Sequence, residues 1–181
     1  MAKPKRIILG VTGSIAAYKA AEIIRRLIEK GLRVTVVMTQ EAEHFITPLT
    51  LAGLSGETVC RGMFNQDAGS DSMPHVDLAR EADLFLIAPA TANIIGKIAH
   101  GIADNLLACI ALATEAPIII VPAMNTQMYQ NKIVQENCRK LKKNGVQFID
   151  PVKGKLACGT TGTGHIADEA TVVRAVLRTI K

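Results

Sequence analysis

The sequence predicts an α/β domain, a doubly wound parallel sheet with helices on both faces, and three observations carry that expectation. Four short runs are apolar at successive positions and rich in β-branched residues, as strands buried on both faces are. Segments of helical period, apolar along one face only, lie between them. Of the 181 residues 49% are hydrophobic, yet only 3% are aromatic and none is Trp, which suits close packing of helices on a sheet and offers no stacking platform for bases.

Arg6 to Val11 is the first strand-like run, and the small-residue turn after it opens a helix over Ala17 to Lys30. There Ala20, Ile23, Ile24, Leu27 and Ile28 share one face, Glu22, Arg25, Arg26 and Glu29 take the other, and Gly31 ends the helix. Further strands are expected at Arg33 to Met38, Leu84 to Ala88 and Pro117 to Val121, with a weaker fifth at Val146 to Ile149. Helical pattern recurs at Val76 to Glu81, Ala103 to Thr114, Asn131 to Asn144 and Asp168 to Ile180. Strand and helix in alternation give a parallel sheet with right-handed crossovers, of Rossmann or flavodoxin-like kind, in one domain over residues 1–181. Two stretches break the rhythm. Gly62 to His75 is polar and reads as irregular, and Gly154 to Gly164 is rich in Gly, Thr and Cys. In an otherwise compact domain such stretches are either functional lids or poorly ordered linkers.

Lys and Arg number 21 against 16 Asp and Glu, a formal net charge of +5. The basic residues are dispersed (Lys3, Lys5, Arg6, Arg25, Arg26, Lys140, Lys142, Lys143) and not interleaved with aromatics, so no nucleic-acid partner is expected. A mild positive field favours small anionic ligands. Cys60, Cys109, Cys138 and Cys158 lack metal-ligand spacing, so no metal is expected, and the thiols read as free in a reducing cytoplasm. The N-terminus passes from a few basic residues into a strand without the pattern of a cleavable signal, and no apolar stretch is long enough to span a bilayer.

Sheets of this class bind ligands beyond the carboxyl ends of their strands, so the residues that follow each strand are the candidates. Gly10 to Ala16, containing Gly13, Ser14 and Ile15, is a small-residue turn opening a helix, where backbone N–H groups and the helix dipole can hold a phosphate. Its spacing is not the dinucleotide fingerprint, and tight packing alone also calls for such a turn. The second strand ends in Met38-Thr39, where an NAD enzyme would place an acid for the ribose. A hydroxyl at that point suits a phosphate, so a mononucleotide such as FMN fits better than NAD. Pro89-Ala90-Thr91-Ala92-Asn93 and Pro122-Ala123-Met124-Asn125 follow the third and fourth strands. Each sets a Pro where the strand stops, then small residues that let a flat ligand approach, then an Asn able to donate and accept. His75 ends the first irregular stretch, while His44 and His100 read as ordinary surface or core-edge residues. Cys158, between Ala157 and Gly159, serves no periodic apolar face and is a plausible proton donor or nucleophile.

Together these segments resemble the family of homo-oligomeric flavin-containing cysteine decarboxylases, and within it the decarboxylase portion of bacterial coenzyme A biosynthesis enzymes. The likeness runs through Gly13-Ser14-Ile15-Ala16-Ala17-Tyr18-Lys19, Phe45-Ile46-Thr47-Pro48-Leu49, His75, Pro89 to Asn93, Pro122 to Asn125 with Met128-Tyr129, and Ala157-Cys158-Gly159. It implies that Gly13, Ser14, Ile15, Thr39 and Pro89 to Asn93 hold FMN near a subunit contact, with Ala103 and Asp104, of the flavin-proximal segment Ala103-Asp104-Asn105-Leu106-Leu107, contributing there. It further implies His75 as catalytic base, Asn125 on the substrate carboxylate or amide beside Ala123, Met124 and Met128, and Cys158 with Ala157 and Gly159 on a substrate-covering flap. A homotrimer or trimer-based dodecamer is implied as the assembly, and a phosphopantothenate-cysteine ligase as a fused or separate partner.

The activity so implied is loss of CO2 from the cysteinyl carboxylate of 4'-phosphopantothenoylcysteine. A simple carboxylate has no sink for the electrons left behind. Oxidation of the thiol-bearing carbon to a thioaldehyde creates one, and decarboxylation then gives an enethiolate. His75 would take the thiol proton, a transfer that ordinary thiol and imidazole pKa values of about 8.5 and 6.5 permit. A neutral Asn125 orients the carboxylate without the ground-state ion pairing that a Lys or Arg would bring. Cys158 would supply the last proton. Peptidyl-cysteine decarboxylases and catalytically silent regulatory flavoproteins are the alternative readings within the same family. The sequence departs from the family's pattern at Ile94, where Thr is frequent, and at His165-Ile166, where Arg or a small residue precedes Met; both bear on substrate detail.

Overall fold

The computed structural model describes residues 3–63, 73–155, 159 and 161–180. β1 (Arg6–Val11), β2 (Arg33–Met38), β3 (Leu84–Ala90), β4 (Ile118–Pro122) and β5 (Gln147–Phe148) form one parallel sheet of spatial order β2-β1-β3-β4-β5. The order reverses between β1 and β3, which is the switch point where a crevice opens at the carboxyl ends of the strands. Alternate residues of each strand enter opposite layers. Ile7, Leu9, Val11, Leu84, Leu86, Ala88, Ile119 and Val121 join the layer built with α1 (Lys19–Glu29), α2 (Pro48–Ser55) and α8 (Glu169–Thr179). Ile8, Phe85, Ile87 and Ile120 join the layer built with α3 (Pro74–Glu81), α4 (Ala92–His100), α5 (Leu106–Ala113) and α7 (Lys132–Lys143). Each fully buried Leu or Ile in these strands contributes about 1.5–3 kcal/mol, which is why the strands read as unbroken apolar runs.

β1 and β2 have the limits that the sequence predicts. β3 continues through Pro89 to Ala90 instead of stopping at the proline, with a register shift against β4 between Ile87 and Ala90. Pro89 lacks a donor but keeps its carbonyl, which accepts from Thr12 Oγ1 at 2.8 Å, and Ala90 O accepts from Ala123 N at 3.0 Å. The helix expected from Ala17 opens as a 3-10 turn over Ile15–Tyr18 before α1. Lys19, in the same segment, ties α1 to α8 through an ion pair with Glu169. That hydrogen bond raises the Lys19 pKa and lowers that of Glu169.

Two helices of this frame lie outside the segments read above as helical. α2 is apolar on all sides; Thr47 starts it by accepting from Thr50 N at 3.2 Å, Pro48 sits in its first turn and Gly56 ends it with φ of 71°. α4 begins inside the segment read above as a ligand turn, capped by Thr91, whose Oγ1 accepts from Ile94 N at 3.4 Å. α3 starts at Pro74, so His75 is helical and not part of an irregular stretch, because the fixed φ of proline suits a first turn. Residues 64–72 of that stretch lie outside the described residues. The Gly-rich stretch near the C-terminus is neither a featureless lid nor a linker at its ends. β6 (Val152–Lys155) and β7 (Thr161–His165) pair there as an antiparallel ribbon, separate from the main sheet.

Candidate functional site

The strand ends deliver their turns to one cavity of about 300 Å3 at the carboxyl edge of the sheet. Thr12, the residue after β1, is almost fully buried, and its hydroxyl both donates to Pro89 O and accepts from Thr91 N at 3.1 Å. One side chain thereby fixes the turn after β1 against the turn after β3. Gly13 passes so close to the loop after β2 that an added Cβ would lie 2.4 Å from Glu41 Cβ, so only glycine fits. Ser14 caps the helical run by accepting from Ala16 N at 3.3 Å, and its hydroxyl lies 3.4 Å from Ala123 O in the turn after β4.

Thr39 is held by its backbone N–H donating to Val11 O at 3.0 Å and is only 8% exposed. Its Oγ1 is buried on the cavity wall without a hydrogen-bond partner among the described residues. Buried hydroxyls are almost always satisfied, so this one asks for an oxygen from a bound group. Gly13, Ser14 and Thr39 thus line one part of the cavity together, with the Thr39 hydroxyl as its unpartnered buried group. Thr91, Ala92 and Asn93 supply the next wall, and Ala123, Met124 and Met128 the far one.

Asn125 does not line this cavity. It follows Met124 as the cap of α6 (Thr126–Gln130), with Oδ1 accepting from Gln127 N at 2.8 Å. The β6–β7 ribbon lies directly on this turn, where Met124 N donates to Gly164 O at 3.1 Å. A Cβ on Gly164 would come within 2.2 Å of Met124 O, and one on Gly162 within 2.2 Å of Thr126 Oγ1. Glycine at both positions lets the ribbon close on the turn. Tyr129, also in the quoted resemblance, is a structural anchor: burial first, then Asp150, pushes its hydroxyl up to about 12, and it donates to Asp150 Oδ1 at 3.3 Å.

Of the other residues singled out in the sequence, Pro89 and Ala90 support the cavity through their carbonyls without lining it, and Ile15 is 58% exposed. Ala103 O accepts from the Cys109 thiol at 3.3 Å. Asp104 pairs with Lys97 at 2.8 Å, which holds its carboxyl below the usual carboxylate range. Neither Ala103 nor Asp104 reaches the cavity, whereas the next residue, Asn105, lines it while capping α5. His75 is half-buried in the first turn of α3 and is not among the described residues that line the cavity. Gly159 is exposed with φ of 84°, and Ala157 and Cys158 lie outside the described residues.

Sequence reasoning missed Thr12, Glu41, Ile94 and Asn105 as lining residues. Thr12 and Asn105 stood inside quoted segments, but the chemistry had been attached to their neighbours; Glu41 follows Thr39 in a 3-10 turn that has no pattern to mark it. Among the described residues no group of three or more His, Cys, Asp or Glu could hold a metal ion, and no helix is long and apolar enough to cross a membrane.

Comparison with known proteins gives this geometry a context. The chain is 46% identical over 174 residues to a probable phosphopantothenoylcysteine decarboxylase of Streptococcus mutans, covering 95% of this chain and 97% of that protein. It is also 46% identical over 169 residues to the coenzyme A biosynthesis bifunctional protein CoaBC of Vibrio parahaemolyticus, covering 93% of this chain but spanning 42% of the relative. Among solved structures, a PPC decarboxylase mutant complexed with pantothenoylaminoethenethiol and the FMN binding protein AtHal3 are each 32% identical over 97% of this chain. They cover 98% and 97% of their own chains and superpose with TM-scores of 0.85 and 0.81. A family model described as Flavoprotein matches residues 1–181. A doubly wound sheet with a cavity at its switch point, matched along its whole length by that model, makes this chain a member of the flavoprotein family.

Proposed function

We propose that the chain is an FMN-dependent carboxy-lyase that converts 4'-phosphopantothenoylcysteine to 4'-phosphopantetheine. The observation that carries this reading is the likeness to the Streptococcus mutans protein along nearly the full length of both chains. The cavity supports the cofactor: one phosphate-sized cradle at Gly13, Ser14 and Thr39, small walls at Ala92 and Ala123, and amides at Asn93 and Asn105 for polar edges of a flat ring. The other solved relative is described as FMN-binding.

When bound, FMN supplies a two-electron acceptor that makes a β-carbonyl-like sink possible in a substrate that lacks one. The remaining work belongs to this chain. His75 takes the proton of the substrate thiol. Asn125, held rigid as the cap of α6, orients the carboxylate with a neutral amide, so that CO2 leaves without first breaking an ion pair. The ribbon seated on Met124 covers that end of the site, and Cys158 delivers the final proton. Met124 and Met128, with apolar flexible side chains, exclude water around the cysteinyl end. A trimer or trimer-based assembly places a second copy near the flavin, and the ligase of the bifunctional relatives is the partner reaction.

The deciding experiment is incubation of the purified chain with phosphopantothenoylcysteine and detection of 4'-phosphopantetheine by mass. A colourless preparation that takes up no added FMN, or turnover of a peptide C-terminal cysteine alone, overturns the reading. A second expectation concerns the cradle. Thr39→Val keeps the buried shape but removes a cavity-wall hydroxyl that has no partner among the described residues, and a hydrogen bond to a charged group contributes about 1.5–3 kcal/mol. FMN affinity should therefore fall roughly ten- to a hundredfold with an unchanged melting profile, as read by flavin fluorescence on dilution.

A further inference from the structure

The cavity contains an acid on its phosphate side. Glu41 lines it together with Thr12, Gly13, Ser14 and Thr39, and among the described residues that line it Glu41 alone carries a formal charge. Its position is fixed by packing: Glu41 Cβ occupies the space beside Gly13 that a larger residue there would need. The side chain is exposed, and no described residue neutralises it, since the nearby Arg61 pairs with Glu43 at 3.7 Å and Lys19 with Glu169. The buried, unpartnered hydroxyl of Thr39 lines the same cavity. An anion in this cavity would meet neutral described side chains only, apart from one fixed charge of its own sign at Glu41.

We propose that Glu41 is a specificity-determining residue that acts against the phosphate, so that FMN is held by hydrogen bonds in spite of a built-in repulsion. The proposal rests on the FMN reading above. A phosphate monoester carries about −1.5 to −2 charge near neutral pH, and a like charge within several ångströms at a wet rim weakens its binding by a modest factor. Riboflavin, which has the same ring and sugar without the phosphate, escapes that repulsion. Glu41 therefore narrows the preference for FMN over riboflavin that the cradle would otherwise impose.

Equilibrium dialysis of the full chain against FMN and, separately, riboflavin tests this. Glu41→Gln preserves the Cβ that packs on Gly13 and should lower the FMN dissociation constant roughly five- to tenfold, leaving that for riboflavin unchanged. Glu41→Lys should shift FMN further in the same direction, and Glu41→Asp, which keeps the charge, should stay close to the parent chain. The advantage of the Gln variant for FMN should shrink as salt is raised, because screening removes repulsion between exposed charges. Equal changes for both flavins, weaker FMN binding in the Gln variant, or no change at all would overturn the proposal; the second outcome would make Glu41 an acceptor for a sugar hydroxyl. If the parent chain binds neither flavin, the cofactor reading falls and this inference with it, whereas a parent that binds FMN with an unaltered Gln variant removes the inference alone.

Discussion

His75→Asn is expected to leave FMN bound and to abolish its reduction by phosphopantothenoylcysteine. Asparagine fills most of the imidazole volume but cannot accept the thiol proton at neutral pH. General-base catalysis by a positioned group contributes about 10²- to 10⁴-fold, so the rate of flavin bleaching in a stopped-flow trace should fall by at least the lower figure. Stability should scarcely change. α3 is anchored by Leu78 and Ala79 in the core, His75 is half-buried in the first turn, and its neighbour Pro74 already starts the helix. Bleaching at the parental rate would take His75 out of the mechanism. Loss of FMN from the variant would assign it to cofactor binding.

Cys158→Ser is expected to split the reaction in two. On the proposed mechanism CO2 loss requires the flavin, His75 and Asn125, whereas saturating the enethiol requires a proton besides the hydride that the flavin would return. Serine is a far poorer acid than a thiol of ordinary pKa about 8.5. The variant should release CO2 and accumulate a product a pair of hydrogens lighter than 4'-phosphopantetheine, with reduced or slowly air-oxidised flavin. Mass spectrometry of the quenched mixture reads the outcome. The ordinary product formed at the normal rate would place the last proton elsewhere and leave Cys158 a packing residue.

The sequence by itself determined the frame. β1 and β2 are legible to the residue because both faces of each strand are buried, so that nearly every position must be apolar and no alternation confuses the period. α1, α7 and α8 are legible because each buries one face against the sheet and leaves charges on the other, as Ile23, Ile24 and Leu27 against Arg25, Arg26 and Glu29 illustrate. The rule that ligands sit beyond strand ends points to Gly13, Ser14 and Thr39, and these line the cavity at the switch point. What the periodicity does not announce are the elements set by their end residues or by a single contact. α2 and α4 are defined by a threonine cap and a left-handed glycine more than by a stripe. The β6–β7 ribbon has too few apolar residues to read as strand, and it exists because Gly162 and Gly164 allow it to dock on the Met124–Thr126 turn. Tertiary structure alone decided which residue of each turn faces the cavity: Asn105 and not Asp104, Met124 and not Asn125, and above all Glu41, whose place beside Gly13 depends on two loops from different strands meeting across the sheet edge. Local sequence fixes the backbone path of a turn, but the side that meets a ligand is set by the neighbour it packs against, and that neighbour is far away in the chain.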